Sequence, residues 1–283
     1  MSDCCTSWDG VKCDPNTGHV IELDVSSSYL HGSINSDSTL FSHVNLEKLN
    51  LAENDFSYSS IPKAFSKLSR LSYLNLSLCR FSDLIPNEIL GLSRLTTLDL
   101  SVNIDVSSEQ KLLQLKNPDL KSLILNLKRL EVLDLSFVDI SSTVPDMLAD
   151  LSTLRELSLR SCGLKGVFPT RIFQLPNLQF LSLSDNIDLY GSLPPLQRSS
   201  LKLFSNNNFN GTVNFDMFLG LKNLSQLDLS NNNLSGVTEP SEKFEVVESS
   251  RKPNWWSNTQ MDMDRERGNF EGLESCEQLL DRL

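Results

Sequence analysis

Leucines fall along this chain as Leu-x-x-Leu-x-Leu, and the triplet returns about every 24 residues, a period that marks a stacked array rather than separate domains. It stands at Leu46/Leu49/Leu51, Leu71/Leu74/Leu76, Leu95/Leu98/Leu100, Leu130/Leu133/Leu135, Leu154/Leu157/Leu159, Leu178/Leu181/Leu183 and Leu224/Leu227/Leu229. A first copy reads Val20, Leu23, Val25, and a damaged one ends at Phe204. A strand sends alternate side chains to opposite faces, so the second and third leucines of each triplet point inward while the residues around them face out. One unit alone leaves its leucines half wet, and the pattern therefore predicts about nine stacked strands.

The position three residues after the third leucine holds Asn54, Asn103, Asn186, Asn207 and Asn232, with Cys79 and Cys162 in the same slot. An amide there can satisfy backbone groups in the turn that leaves the strand, and the two thiols read as buried ladder residues rather than a disulfide or a reactive pair. Leu-x-Gly follows at Leu30/Gly32, Leu164/Gly166, Phe209/Gly211 and Leu234/Gly236. Apolar-Pro pairs come next, at Ile61/Pro62, Ile85/Pro86, Val144/Pro145, Phe168/Pro169 and Leu193/Pro194. Leu-x-Gly-x-Ile-Pro after the strand motif resembles the plant-specific leucine-rich repeat. That resemblance implies an α/β solenoid, with a curved parallel β-sheet on the concave face and tight helical turns on the convex side.

The N-terminal run Asp3-Cys4-Cys5-Thr6-Ser7-Trp8-Asp9-Gly10-Val11-Lys12-Cys13, followed by Thr17-Gly18-His19-Val20, resembles the end of a plant N-terminal repeat cap. From Asp3 to about Gly236 the chain resembles the ectodomain of plant receptor-like proteins of the disease-resistance type. Segments such as Leu68-Ser69-Arg70-Leu71 and Phe168-Pro169-Thr170-Arg171-Ile172-Phe173 are similar to those receptors. The resemblance implies that Cys5 pairs with Cys13, which leaves Cys4 and Cys276 unassigned. Met1 stands directly before the cap without the segments of a signal peptide, so the front of the cap and the export signal are expected to be missing.

The expected organisation is a partial cap over 1–19, a repeat array over 20–236 and a non-repeat acidic tail over 237–283, read as disordered. Two places break the period. Leu135 follows Leu100 by 35 residues, and within them Leu120, Leu123, Ile124 and Leu127 fit helix spacing, predicting a helical insertion near 104–129 with Pro118 in its first turn. A strand reading of Leu120, Leu123 and Leu125 competes. Near 194–204 the junction is irregular: Phe204 lies only 21 residues after Leu183, and Lys202 falls on an inward position. The expected cause is a spliced or deleted junction, the alternative a bend between two subarrays.

Composition narrows the function. The chain is 39% hydrophobic and 7% aromatic with a net charge of −11, and its pI is near 4.8. An acidic chain with no basic run argues against nucleic-acid partners. No stretch approaches the ~18 apolar residues of a membrane span, whereas the receptors it resembles carry one. His19, His31 and His43 lack metal-ligand spacing, so no metal and no cofactor is expected. Nucleophile elbows and phosphate loops are absent, and Asp99, Asp134 and Asp228 recur because they share one outward repeat position. No catalytic residue is assigned, and the chain is read as no enzyme.

The remaining surface is the outward face of the sheet. Its candidate ligand-binding residues are Tyr73, Phe137, Glu156, Arg160 and Phe180, aromatic and charged types that dominate recognition. Sequons at Asn75, Asn210, Asn223 and Asn233 suit a glycosylated, secreted chain. Asn75 lies between two inward leucines, so a glycan there would cover part of the face and displace binding toward later repeats. The resemblance implies an extracellular peptide, protein or glycan ligand, a membrane receptor-kinase co-receptor and a place at the outer face of the plasma membrane. The alternatives are a secreted inhibitor of a pathogen wall-degrading enzyme, or a non-functional receptor fragment.

Overall fold

The computed structural model describes residues 5, 9–193, 201–214 and 226–238. Ten strands form one sheet in chain order: β1 (Val11–Cys13), β2 (Val20–Asp24), β3 (Lys48–Asn50), β4 (Tyr73–Asn75), β5 (Thr97–Asp99), β6 (Val132–Asp134), β7 (Glu156–Ser158), β8 (Phe180–Ser182), β9 (Leu201–Leu203) and β10 (Gln226–Asp228). Only β1 runs antiparallel to its neighbour, and Cys5 is bonded to Cys13 at its edge, with Cα atoms 5.5 Å apart. Every other pair is parallel and in step, Leu49 beside Leu74, Leu98 beside Leu133, Leu157 beside Leu181. From Leu23 to Leu183 the inward leucines are almost wholly buried and form one continuous core, against which Leu227 and Leu229 pack partly buried.

Each strand leaves through a fixed turn. The residue just before the Asn/Cys slot has positive φ in unit after unit, at Ser27, Glu53, Leu78, Val102, Phe137, Ser161, Asp185, Asn206 and Asn231. The slot then ties that turn to the unit before it. Asn186 Oδ1 accepts from the Cys162 and Leu164 N–H groups, and its Nδ2 donates to the Leu159 and Leu183 carbonyls. Asn103 repeats the pattern on Cys79, Phe81, Leu76 and Leu100. Cys79 and Cys162 are buried free thiols in the same slot and donate to the Leu51 and Leu135 carbonyls. Burial pushes the Cys79 pKa up to about 12 and raises that of Cys162 as well, so neither is a thiolate at neutral pH.

Beyond the slot the chain joins a second, flank ladder. In the later units this is a parallel sheet of Lys165–Val167, Asn186–Ser192, Asn207–Asn214 and Asn233–Thr238. Gly166 lies at φ +80, where a Cβ would come within 3.1 Å of Thr143 Cγ2, a conformation that favours glycine. The proline of each described apolar-Pro pair then caps a 3-10 turn, Pro62 before Lys63–Lys67, Pro86 before Asn87–Gly91, Pro145 before Asp146–Asp150 and Pro169 before Thr170–Gln174. Proline's fixed φ suits that start, and its apolar neighbours Ile61, Ile85, Val144 and Phe168 are buried.

The long unit departs from this plan in two ways. Helix α1 (Leu120–Asn126) takes the slot that 3-10 turns fill elsewhere, capped by Asp119, whose Oδ1 accepts from the Ser122 N–H at 2.8 Å. Leu120, Leu123, Ile124 and Leu127 are buried while Leu125 is 47% exposed, which fits a helix and not a strand. Pro118 precedes the cap instead of sitting in the first turn. Further length enters as an antiparallel hairpin of Ile104–Asp105 and Gln110–Lys111.

At the irregular junction the sheet stays continuous: β9 pairs in parallel with β8 and with β10, Lys202 standing opposite Leu181 and Leu227. Phe204 and Phe209 are buried there, their rings 5.8 Å apart, and Phe204 also meets Phe173 at 5.8 Å. Residues 194–200, the tail from 239 onward, and with them Cys4, Cys276 and Asn223, lie outside the described residues.

Candidate functional site

Parallel strands in step place equivalent residues of successive units side by side, about 4.8 Å apart. The first outward row reads Glu22, Lys48, Tyr73, Thr97, Val132, Glu156, Phe180. Its N-terminal end is charged and internally paired, with Glu22 Oε1 2.9 Å from Lys12 Nζ and 3.4 Å from Lys48 Nζ. The bond from Lys12 chiefly holds the Glu22 carboxyl below its usual range. Further along, Tyr73 and Phe180 are half-buried and Glu156 is exposed, with Phe180 directly beside Glu156.

The second row reads Asp24, Asn50, Asn75, Asp99, Asp134, Ser158, Ser182. Here the side chain accepts from the N–H two residues on: Asn75 from Ser77 at 2.9 Å, Asp99 from Ser101 at 2.9 Å and Asp134 from Ser136 at 2.8 Å. These groups build turns, which explains why carboxylates recur at this position. Burial raises the Asp99 and Asp134 pKa values, that of Asp134 to about 6 with a further push from Asp99 in the next strand.

The third row, directly after the last inward residue, is small throughout except once: Ser26, Ala52, Ser77, Ser101, Ser136, Arg160, Ser184, Ser205, Ser230. Arg160 is that exception, and the structure holds its head group. Its Nε lies 2.7 Å from Asp185 Oδ2, and its guanidinium carbon stands 5.6 Å from the centre of the Phe137 ring. Phe137 itself sits at φ 65, a left-handed conformation costly for a bulky residue. Of the five sequence candidates, Phe137 and Arg160 are in contact, Glu156 and Phe180 are neighbours across β7 and β8, and Tyr73 stands three strands from Glu156 in the same row.

Sequence reading misses Asp185, and with it a second cluster in which Arg80 Nη1 lies 2.7 Å from Asp55 Oδ2 while the Arg80 guanidinium carbon stands 6.0 Å from the centre of the Tyr58 ring. The Tyr58 hydroxyl bonds to Asp105 at 2.8 Å. The signal lies in the spacing, since both ion pairs join residues 25 apart, one repeat. Among the described residues no group of three His, Cys, Asp or Glu could hold a metal ion, and no helix is long and apolar enough to cross a membrane. Asn210 and Asn233 are exposed on the flank sheet, while Asn75 is half-buried on the main one.

Models of the leucine rich repeat match residues 45–68, 70–92, 128–187 and 223–242. Receptor-like protein 6 of Arabidopsis thaliana is 43% identical over 232 residues, 81% of this chain and 23% of its own length. Receptor-like protein Cf-9 of Solanum pimpinellifolium is 39% identical over 199 residues, 70% of this chain and 22% of its own. The chain thus spans less than a quarter of the length of the curated relatives it matches. Among solved structures, the Arabidopsis receptor kinase HAESA, in complex with the peptide hormone IDA and the co-receptor SERK1, is 27% identical with a TM-score of 0.65, over 83% of this chain and 41% of that one. A plant ice-binding protein is 22% identical with a TM-score of 0.63, over 83% of this chain and 79% of that one, a likeness of fold alone. Two such different functions on one architecture leave the site residues to decide.

Proposed function

This chain belongs to the leucine-rich-repeat family and, within it, to the plant receptor-like proteins, and from that membership we propose that its concave sheet face recognises an extracellular peptide or protein. The contact centre is Phe137, Glu156, Arg160 and Phe180, with Tyr73 at the margin. The observation that carries this reading is Arg160, a long charged residue in a row of serines, held in advance by Asp185 and Phe137. Fixing a rotamer-rich side chain before the ligand arrives lowers the entropy cost of binding, and Arg beside aromatic rings is the composition of interface hot spots.

The HAESA complex with a peptide hormone and a co-receptor supports a peptide ligand here and a membrane receptor kinase as signalling partner. The place of action is the outer face of the plasma membrane. A glycan on Asn75 would stand over β4 and shift the usable face toward β6–β8; mass spectrometry of secreted protein that finds Asn75 unmodified removes that part.

A displayed peptide library selected on the chain tests the reading. Selected peptides are expected to bind Arg160→Ala and Phe137→Ala at least ~10-fold more weakly, in line with hot-spot substitutions. Tyr29→Ala, at a position 86% exposed and outside the rows of the face, is expected to change nothing. Peptides indifferent to Arg160, Phe137, Glu156 and Phe180 alike overturn the proposal.

A further inference from the structure

Away from the ten-stranded sheet, between the flank ladder and the 3-10 turns of the first units, lies a cleft of about 760 Å³, within the ~300–1,000 Å³ of pockets that hold small ligands. The repeat builds it. Ser33-Ile34, Ser60-Ile61 and Leu84-Ile85 are the same two positions in three successive units, and all line the cleft. The isoleucines and the prolines after two of them, Pro62 and Pro86, form an apolar floor. Around it stand exposed Asn35, Ser60, Asn87 and Asn117, the last contributed by the long unit just before α1 and closing one end.

Three features of the lining specify a ligand. Its polar groups are hydroxyls and amides, which donate and accept alike and so match groups that do the same. Its charged side chains are Lys63 and Glu88, of opposite sign, which leaves no net attraction for an ion. Ser59, also in the lining, has a buried hydroxyl without a hydrogen-bond partner among the described residues. Such a group is costly to leave unsatisfied, and a turn about χ1 would carry it toward a bound acceptor.

The flank backbone is already occupied: the Ser82 N–H donates to the Ser59 carbonyl and the Ile85 N–H to the Gln114 carbonyl. An added peptide strand would find no ladder to extend at those groups. We propose that this cleft binds a neutral linear oligosaccharide lying along the stack, its C–H faces on the isoleucine and proline floor and its hydroxyls on the serine and asparagine rim.

This site needs neither the concave patch nor its ligand, so the two proposals fail separately. Isothermal titration of cellotetraose, xylotetraose and tetra-N-acetylchitotetraose into the full chain tests it. At least one tetraose is expected to saturate with a dissociation constant below ~1 mM. Ser60→Trp, which fills the cleft, and Ser59→Ala, which removes the waiting hydroxyl, should each weaken that sugar, Ser60→Trp by ~10-fold or more, with thermal melts as sharp as those of the unsubstituted chain. No saturation by any of the three up to ~10 mM overturns the proposal. So does binding that both variants retain in full, or displacement of the sugar by a neutral Gly/Ser peptide.

Discussion

At the scale of single residues, the slot asparagines carry more than their number suggests. Asn186 is 1% exposed and joins two units through four backbone groups. Asn186→Ala strands those groups in the core and is expected to cost about 3 kcal/mol, read as a lower urea midpoint with unchanged slope. Asp134 is the opposite case, a residue that works against stability. Its folded pKa of about 6 lies above the ordinary 3.8, so the folded state holds a proton the unfolded chain has lost, and stability falls as pH rises from about 4 to 6. Asn fills the same position at residues 50 and 75 and accepts the same kind of turn bond. Asp134→Asn is therefore expected to stabilise the chain at pH 7 by on the order of 1 kcal/mol, with the gain vanishing near pH 4. Melting curves at the two pH values check it; a gain independent of pH contradicts the burial argument.

At the scale of elements, the strands and turns are legible because their causes are local and periodic. Inward leucines, slot asparagines and cap prolines each recur at one spacing. Helix α1 is legible for the same reason, since Leu120, Leu123, Ile124 and Leu127 follow the 3.6-residue period. The hairpin beside it is not: Val106-Ser107-Ser108-Glu109 lacks the Asn-Gly or Asp-Gly turn signal, and two-residue strands show no alternation. The extra length of that unit consequently reads as helix alone. Asp119 starts α1 as its cap, with its carboxyl held below the usual range chiefly by bonds from the Ser122 hydroxyl and N–H. Asp119→Ala is expected to lower stability by about 1 kcal/mol, the usual value of an N-cap, and to raise amide exchange in 120–126 before other segments.

At the scale of the molecule, contacts that tie units together fall one period apart and so are hidden from a reading that scans within units. Arg160–Asp185 and Arg80–Asp55 are both 25 residues apart, and Arg155–Glu131 is 24. The concave rows were legible as rows from the repeat alone, but which members act together depends on side-chain reach across strands, as Arg160 over Phe137 shows. The same stack continues through β9 despite the short spacing before Phe204, because the Phe173, Phe204 and Phe209 rings fill the core there. The face from β4 to β8 is one continuous surface on which ligand contacts can be mapped. Hydroxyl-radical footprinting of the chain with and without a selected peptide maps them most directly. Protection at Tyr73, Phe137 and Phe180, with Tyr29 and Tyr190 on the flank unchanged, is the expected result; protection confined to Tyr29 and Tyr190 would contradict recognition by the concave face.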